Sequence, residues 1–147
     1  MSETPRVPRF VNQAMQTILR SPLHGMVSST VLLITFTGRK SGNTYTTPVD
    51  YSLDGDQVTI FTHADWWKNL CSGSPVTLRM RGRERQGLPE TVAEDKQLVA
   101  AGLAEHLRKV PGDAKYYGVT FDGTGSPKAG EVAKAARTVV MVRIRLC

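Results

Sequence analysis

The spacing of apolar residues changes along the chain, and each change marks an element. Over residues 9–20, Phe10, Val11, Ala14, Met15, Ile18 and Leu19 recur at helical spacing, and Ser21-Pro22 stops that helix. Residues 30–37 are rich in β-branched side chains and read as a buried strand. A turn with two glycines, 38–43, leads to a second strand over 44–53, where Pro48 marks a bulge or a sheet edge. Asp54-Gly55-Asp56 is a hairpin signal before a third strand at 57–62. A short helical turn at 65–70 carries Trp66 and Trp67, and strands follow at 75–83 and 86–93. Thr91 and Glu94 have the spacing of a capping box for a helix over 94–109, striped by Val99, Leu103 and Leu107 and ended by Pro111-Gly112. A short helix at 128–136 and a last strand at 138–146 complete the chain. Hairpin-linked strands with one late return strand, and no strand–helix–strand alternation, predict an antiparallel barrel of about six strands with flanking helices.

At 147 residues the chain fits one domain, expected over 9–147 behind a tail at 1–8 that holds Pro5 and Pro8. Its longest apolar run, 31–34, is too short to span a bilayer, and the N-terminus lacks the apolar core of a secretory signal, so stable membrane insertion is not expected and the expected location is cytoplasmic. Cys71 and Cys147 have no paired spacing and read as free thiols. Histidines 24, 63 and 106 are scattered, so no metal site is expected.

The net charge of +6 favours anionic ligands without choosing among them. Placement narrows the choice. Gly38-Arg39-Lys40-Ser41-Gly42 combines backbone amides with two cations, which reads either as a solvated hairpin turn or as a phosphate cradle. Trp66 and Trp67 beside Lys68 read either as a plug for the barrel end or as a stacking wall for a flat ligand. Arg79, Arg81, Arg83 and Arg85 alternate as on one strand face, as do Arg143 and Arg145, and a solvated outer face is the favoured reading. No aromatic residues interleave with these arginines, so nucleic acid is not an expected partner. Tyr116 and Tyr117 either pack on the barrel or line a pocket mouth. No paired carboxylates, Ser/His/Asp set or Walker-type loop is visible.

The stretch 32–83 resembles the deazaflavin-dependent nitroreductase family. The residues that carry the resemblance are Thr37-Gly38-Arg39-Lys40-Ser41-Gly42, Thr47-Pro48-Val49, Asp54-Gly55-Asp56, Trp66-Trp67-Lys68-Asn69-Leu70 and Pro75-Val76. The resemblance implies a split β-barrel of the flavin-reductase and pyridoxamine-phosphate-oxidase type. It also implies the coenzyme F420 and hydride transfer from the reduced coenzyme to an unsaturated, nitro or quinone acceptor, a hydrophobic small molecule. It assigns Arg39, Lys40 and Ser41 to the coenzyme phosphate and Trp66 and Trp67 to its ring. The substrate pocket is assigned to Tyr45, His63, Tyr116 and Tyr117. Two departures stand out: Tyr45 lies where some members carry arginine, and only residues 62–65 join the third strand to Trp66, where relatives have a longer loop. The second motivates an alternative: a barrel without coenzyme that folds a polyene for cyclisation in a natural-product pathway.

Overall fold

The computed structural model describes residues 30–147. The tail expected at 1–8 and the helix expected at 9–20 lie outside the described residues. Seven strands form one antiparallel sheet: β1 (Val31–Thr37), β2 (Thr44–Asp50), β3 (Ser52–Asp54), β4 (Gln57–Thr62), β5 (Val76–Met80), β6 (Arg83–Val92) and β7 (Val140–Leu146). Their order is β2-β1-β5-β6-β7-β4-β3. The two outermost strands, β2 and β3, are successive pieces of one chain segment bent at Tyr51. The expected strand 44–53 is therefore broken at this residue: its first part pairs with β1 and its last part with β4. The bend curls the sheet so that its two edges meet at Tyr51, whose amide donates to the Thr30 carbonyl at 2.9 Å. Pro48 lies on β2, at the edge of the ladder, where its missing N–H breaks no central hydrogen bond.

Strand alternation gives each face its own core. Leu32, Ile34 and Phe36 of β1, Val58 and Ile60 of β4, Leu78 of β5, and Val142, Ile144 and Leu146 of β7 fill the interior. Phe61 and Met141, of opposite parity, face outward and meet Val99, Leu103 and Leu107 of helix α1 (Lys96–Lys109). The short helix α2 (Ala114–Tyr117) and α3 (Ala129–Ala136) complete this outer layer. No helix among the described residues is long and apolar enough to cross a membrane.

Two expectations need correction. The capping box does not form, because Thr91 stays in the β6–β7 ladder, opposite Val142. Asp95 caps α1 instead, its carboxylate accepting from the Leu98 amide at 3.1 Å. The arginine row is also broken. β5 ends at Met80 because Arg81 and Gly82 both take positive φ, 51° and 78°, and form a two-residue hairpin. Arg79 sits opposite Glu84, whereas Arg83 and Arg85 sit opposite the interior residues Met80 and Leu78. These two arginines thus share the inward parity at the open barrel end, beside Tyr51 and Leu53, and do not form an outer face.

Gly87 lies where β6 crosses the packed interior. A Cβ there would overlap the Ile144 Cγ2 methyl and crowd the Arg145 carbonyl at 3.1 Å. Gly87→Ala should therefore destabilise the fold by about 1–3 kcal/mol, as overpacking does, read as a lower urea midpoint.

Candidate functional site

The bend at Tyr51 creates the site. β3 and β4 pair as far as Ser52 and Thr59. Beyond that pair the chains part: β2 follows β1, while β4 follows β7 to Thr62. The split between them is a cleft of about 530 Å³. Thr47, Pro48, Val49 and Asp50 form one wall, and Phe61, Thr62, His63 and Ala64 form the other. Trp66 and Tyr117 complete the lining. The volume and the mix of apolar walls with a few polar groups suit a small-molecule site.

The 3₁₀ helix Asp65–Leu70 joins the two sequence motifs. The Asn69 side chain accepts from the Arg39 amide and donates to the Trp66 carbonyl, each at 2.9 Å. The 38–43 turn is thereby stapled to the helix that carries the tryptophans. Within the turn, Gly38 is buried, its amide donates to the Asn43 carbonyl at 2.7 Å, and a side chain on it would strike Tyr45 and Ser41. The Ser41 hydroxyl bonds the Tyr45 hydroxyl at 3.1 Å and accepts from the Asn43 amide at 3.1 Å, so it is engaged inside the turn. Arg39 and Lys40 are exposed, and neither forms an ion pair among the described residues.

The residues singled out in the sequence divide. Trp66 is buried, stacked on Phe36 with ring centroids 5.6 Å apart, and lines the cleft. Half-buried Trp67 packs against the interior core but is not part of the cleft lining. Tyr45 packs on Phe36 at 6.0 Å and serves the turn, outside the lining. His63 and Tyr117 do meet in the cleft, their rings stacked 6.3 Å apart. Tyr116 points to solvent, 65% exposed with Lys115 over its ring. The adjacent tyrosines diverge because helix α2 sends neighbouring side chains to different faces.

Sequence reasoning missed a buried polar cluster at the base of the split. His106 Nε2 and an Asp113 carboxylate oxygen lie 2.8 Å apart, both buried. The His106 ring rests on Phe61 at 5.6 Å. Its Nδ1 is buried with no partner among the described residues. Burial raises the Asp50 carboxyl above the usual carboxylate range; Asp113 adds to the rise and His106 opposes it. Burial also pushes the Tyr117 phenol well up, helped by Asp113 and then Asp50. The Asp50 shift has a consequence for stability. A carboxyl whose pKa is higher folded than unfolded favours the native state while protonated, and that advantage is lost as pH rises through the folded value. Asp50→Asn should therefore unfold at higher temperature than the wild type at neutral pH. The difference should vanish below the ordinary aspartate pKa of about 3.9, as calorimetry across pH would show.

Residues 10–120 match the family model described as F420H(2)-dependent quinone reductase. No curated protein matches the sequence significantly. Several solved structures share the architecture. A protein from Bacteroides thetaiotaomicron assigned to 5-nitroimidazole antibiotic resistance aligns over 98% of this chain and 83% of its own, with TM-score 0.57 and 12% identity. A FAD-binding protein from Mesorhizobium loti aligns over 86% and 90%, with TM-score 0.53 and 14% identity. A Listeria innocua protein assigned as a pyridoxamine 5′-phosphate oxidase aligns over 92% and 93%, with TM-score 0.50 and 12% identity. At these identities the likeness is one of fold: the split antiparallel barrel expected from the sequence.

Proposed function

Because the chain belongs to the F420H(2)-dependent quinone reductase family, we propose that it reduces a hydrophobic quinone or nitro compound held in the cleft between β2 and β4. The observation that carries the reading is the Asn69 staple. It fastens an exposed pair of cations to the same short helix whose Trp66 walls the cleft. An elongated coenzyme with a flat ring and an anionic tail needs that pairing of features.

The residues fit such a coenzyme. Arg39 and Lys40 have no carboxylate partner among the described residues, so a phosphate meets them without displacing an ion pair. The amides of Gly38, Arg39, Gly42 and Asn43 are already bonded, so the two side-chain cations carry the phosphate contact, and Gly42, at φ 73°, leaves free space beside its Cα. Ser41 contributes by holding the turn's shape through Tyr45 and Asn43. Trp66 offers a rigid apolar surface at the cleft. Reduced F420, when bound, supplies hydride; the protein's part is to bind, orient and exclude water. The apolar side chains of Val49, Phe61 and Ala64 exclude water from the acceptor, while Tyr117 presents an un-ionised phenol as a hydrogen-bond donor.

A spectroscopic titration with F420 tests the proposal. A saturable shift, followed by oxidation of the reduced coenzyme on adding a quinone, is the expected result. The short 62–65 connection, where Asp65 adds a carboxylate 3.9 Å from Lys68, supports a second reading, a coenzyme-free cyclase. Absence of any shift, together with turnover of a polyene without reductant, would favour that reading.

A further inference from the structure

We infer that Asp50 is the proton donor of the cleft, with the buried His106–Asp113 pair acting behind it as positioning residues. This inference rests on the reductase reading above and adds a group that the reading lacks.

Reduction by hydride leaves a proton to be supplied. A quinone that accepts hydride, two electrons and one proton, forms one new bond to hydrogen. The displaced π electron pair collects on a carbonyl oxygen. The neutral product needs one more proton on that oxygen. In an apolar cleft the oxyanion is poorly solvated, so a positioned acid lowers the barrier. In the step proposed here the Asp50 O–H bond breaks and its proton forms the O–H bond of the product. Asp50 is left as carboxylate and regains a proton from water through the open mouth of the cleft.

The geometry favours Asp50 over the other protic groups. It sits at the base of the split, where β2 turns away from β4, half-buried and in the cleft wall. Asp50 shares the cleft lining with Tyr117; beyond burial, the Asp113 charge raises its pKa and the His106 charge lowers it, while its β1 partner, Val31, is apolar. Burial, with the Asp113 charge adding and the His106 charge opposing, keeps a proton on Asp50 at higher pH than an ordinary aspartate would hold one. Burial, then Asp113 and Asp50, also push the Tyr117 phenol up, so it stays un-ionised and serves as a hydrogen-bond donor beside Asp50. His63 lies exposed at the mouth, stacked on Tyr117 and open to water. The His106–Asp113 hydrogen bond is buried away from substrate and fixes the carboxylate whose charge acts on Asp50.

Asp50→Asn keeps the shape and removes the acid. With reduced F420 and menadione as the acceptor, the variant should bind coenzyme as the wild type does. Its kcat should fall by about 10²–10⁴-fold, the usual contribution of a general acid, and lose the decline on the alkaline side of its pH profile. In the coenzyme-free protein, carboxyl-carbon NMR should show Asp50 titrating above the ordinary aspartate range. Asp113→Asn should lower that titration and move the alkaline limb of activity to lower pH, which a purely structural role would not do. A wild-type protein that oxidises reduced F420 alongside an equally active Asp50→Asn overturns the inference alone. An Asp50 that titrates as an ordinary aspartate also overturns it. A wild-type protein that neither binds nor oxidises the coenzyme overturns the reductase reading and the donor role together.

Discussion

Trp66→Ala is expected to destabilise the protein by about 3–5 kcal/mol, the range for emptying a buried aromatic site. Trp66 is 4% exposed and stacked on Phe36, among interior residues that include Leu70. Removing the indole leaves a void under the 3₁₀ helix, while the Asn69 bond to residue 66 uses the backbone carbonyl, which alanine keeps. The urea midpoint should fall sharply with little change in slope. Trp66→Phe, which keeps a flat ring against Phe36, should recover most of the loss. An alanine variant as stable as the wild type would mean that the ring lies outside the packed end of the barrel.

The double variant Arg39→Ala with Lys40→Ala should weaken F420 binding by about two orders of magnitude. The figure takes about 1.5 kcal/mol for each charge-assisted contact, the low end of the range, because both side chains are exposed and screened by water. The fold should not change: neither side chain forms an ion pair among the described residues, and the Asn69 bond to residue 39 uses the backbone amide, which alanine keeps. Equilibrium titration at two salt concentrations checks both points. The wild-type affinity should fall with added salt, and the double variant's should fall less. Equal affinities would return these residues to the solvated-turn reading.

The hairpins were legible because their signals are local. Gly55, at φ 63°, sits in the turn that Asp54-Gly55-Asp56 predicts, and the two-residue alternation of β7 separates Val142, Ile144 and Leu146 from Arg143 and Arg145. The hairpin at 81–82 was hidden, since arginine at positive φ is not a turn signal. The bend at Tyr51 was hidden for another reason. Residues 44–53 read as continuous strand, and only pairing with two different partners breaks them. The glycine-flanked turn and the tryptophan motif could be found as motifs, but nothing in their spacing links them through Asn69. Asp50 escaped notice because its neighbours in the cluster lie far along the chain. His106 left one trace: it falls on the α1 face marked by Val99, Leu103 and Leu107. A histidine on such a stripe needs a partner, and Asp113, one turn beyond the helix, is that partner.

The parting of β2 from β4 has a bearing on how such a protein changes over evolutionary time. In a fully closed barrel, neighbouring strands are held at a fixed spacing by their ladder. Here the two walls of the cleft share no ladder above Ser52 and Thr59, so side-chain bulk sets the gap. Substitutions at Thr47 or Val49 alter its width without costing a backbone hydrogen bond, whereas the Thr62 hydroxyl accepts from the Ala64 amide at 3.0 Å. The shape of the cleft is therefore open to change by single mutations that leave the strand ladders intact.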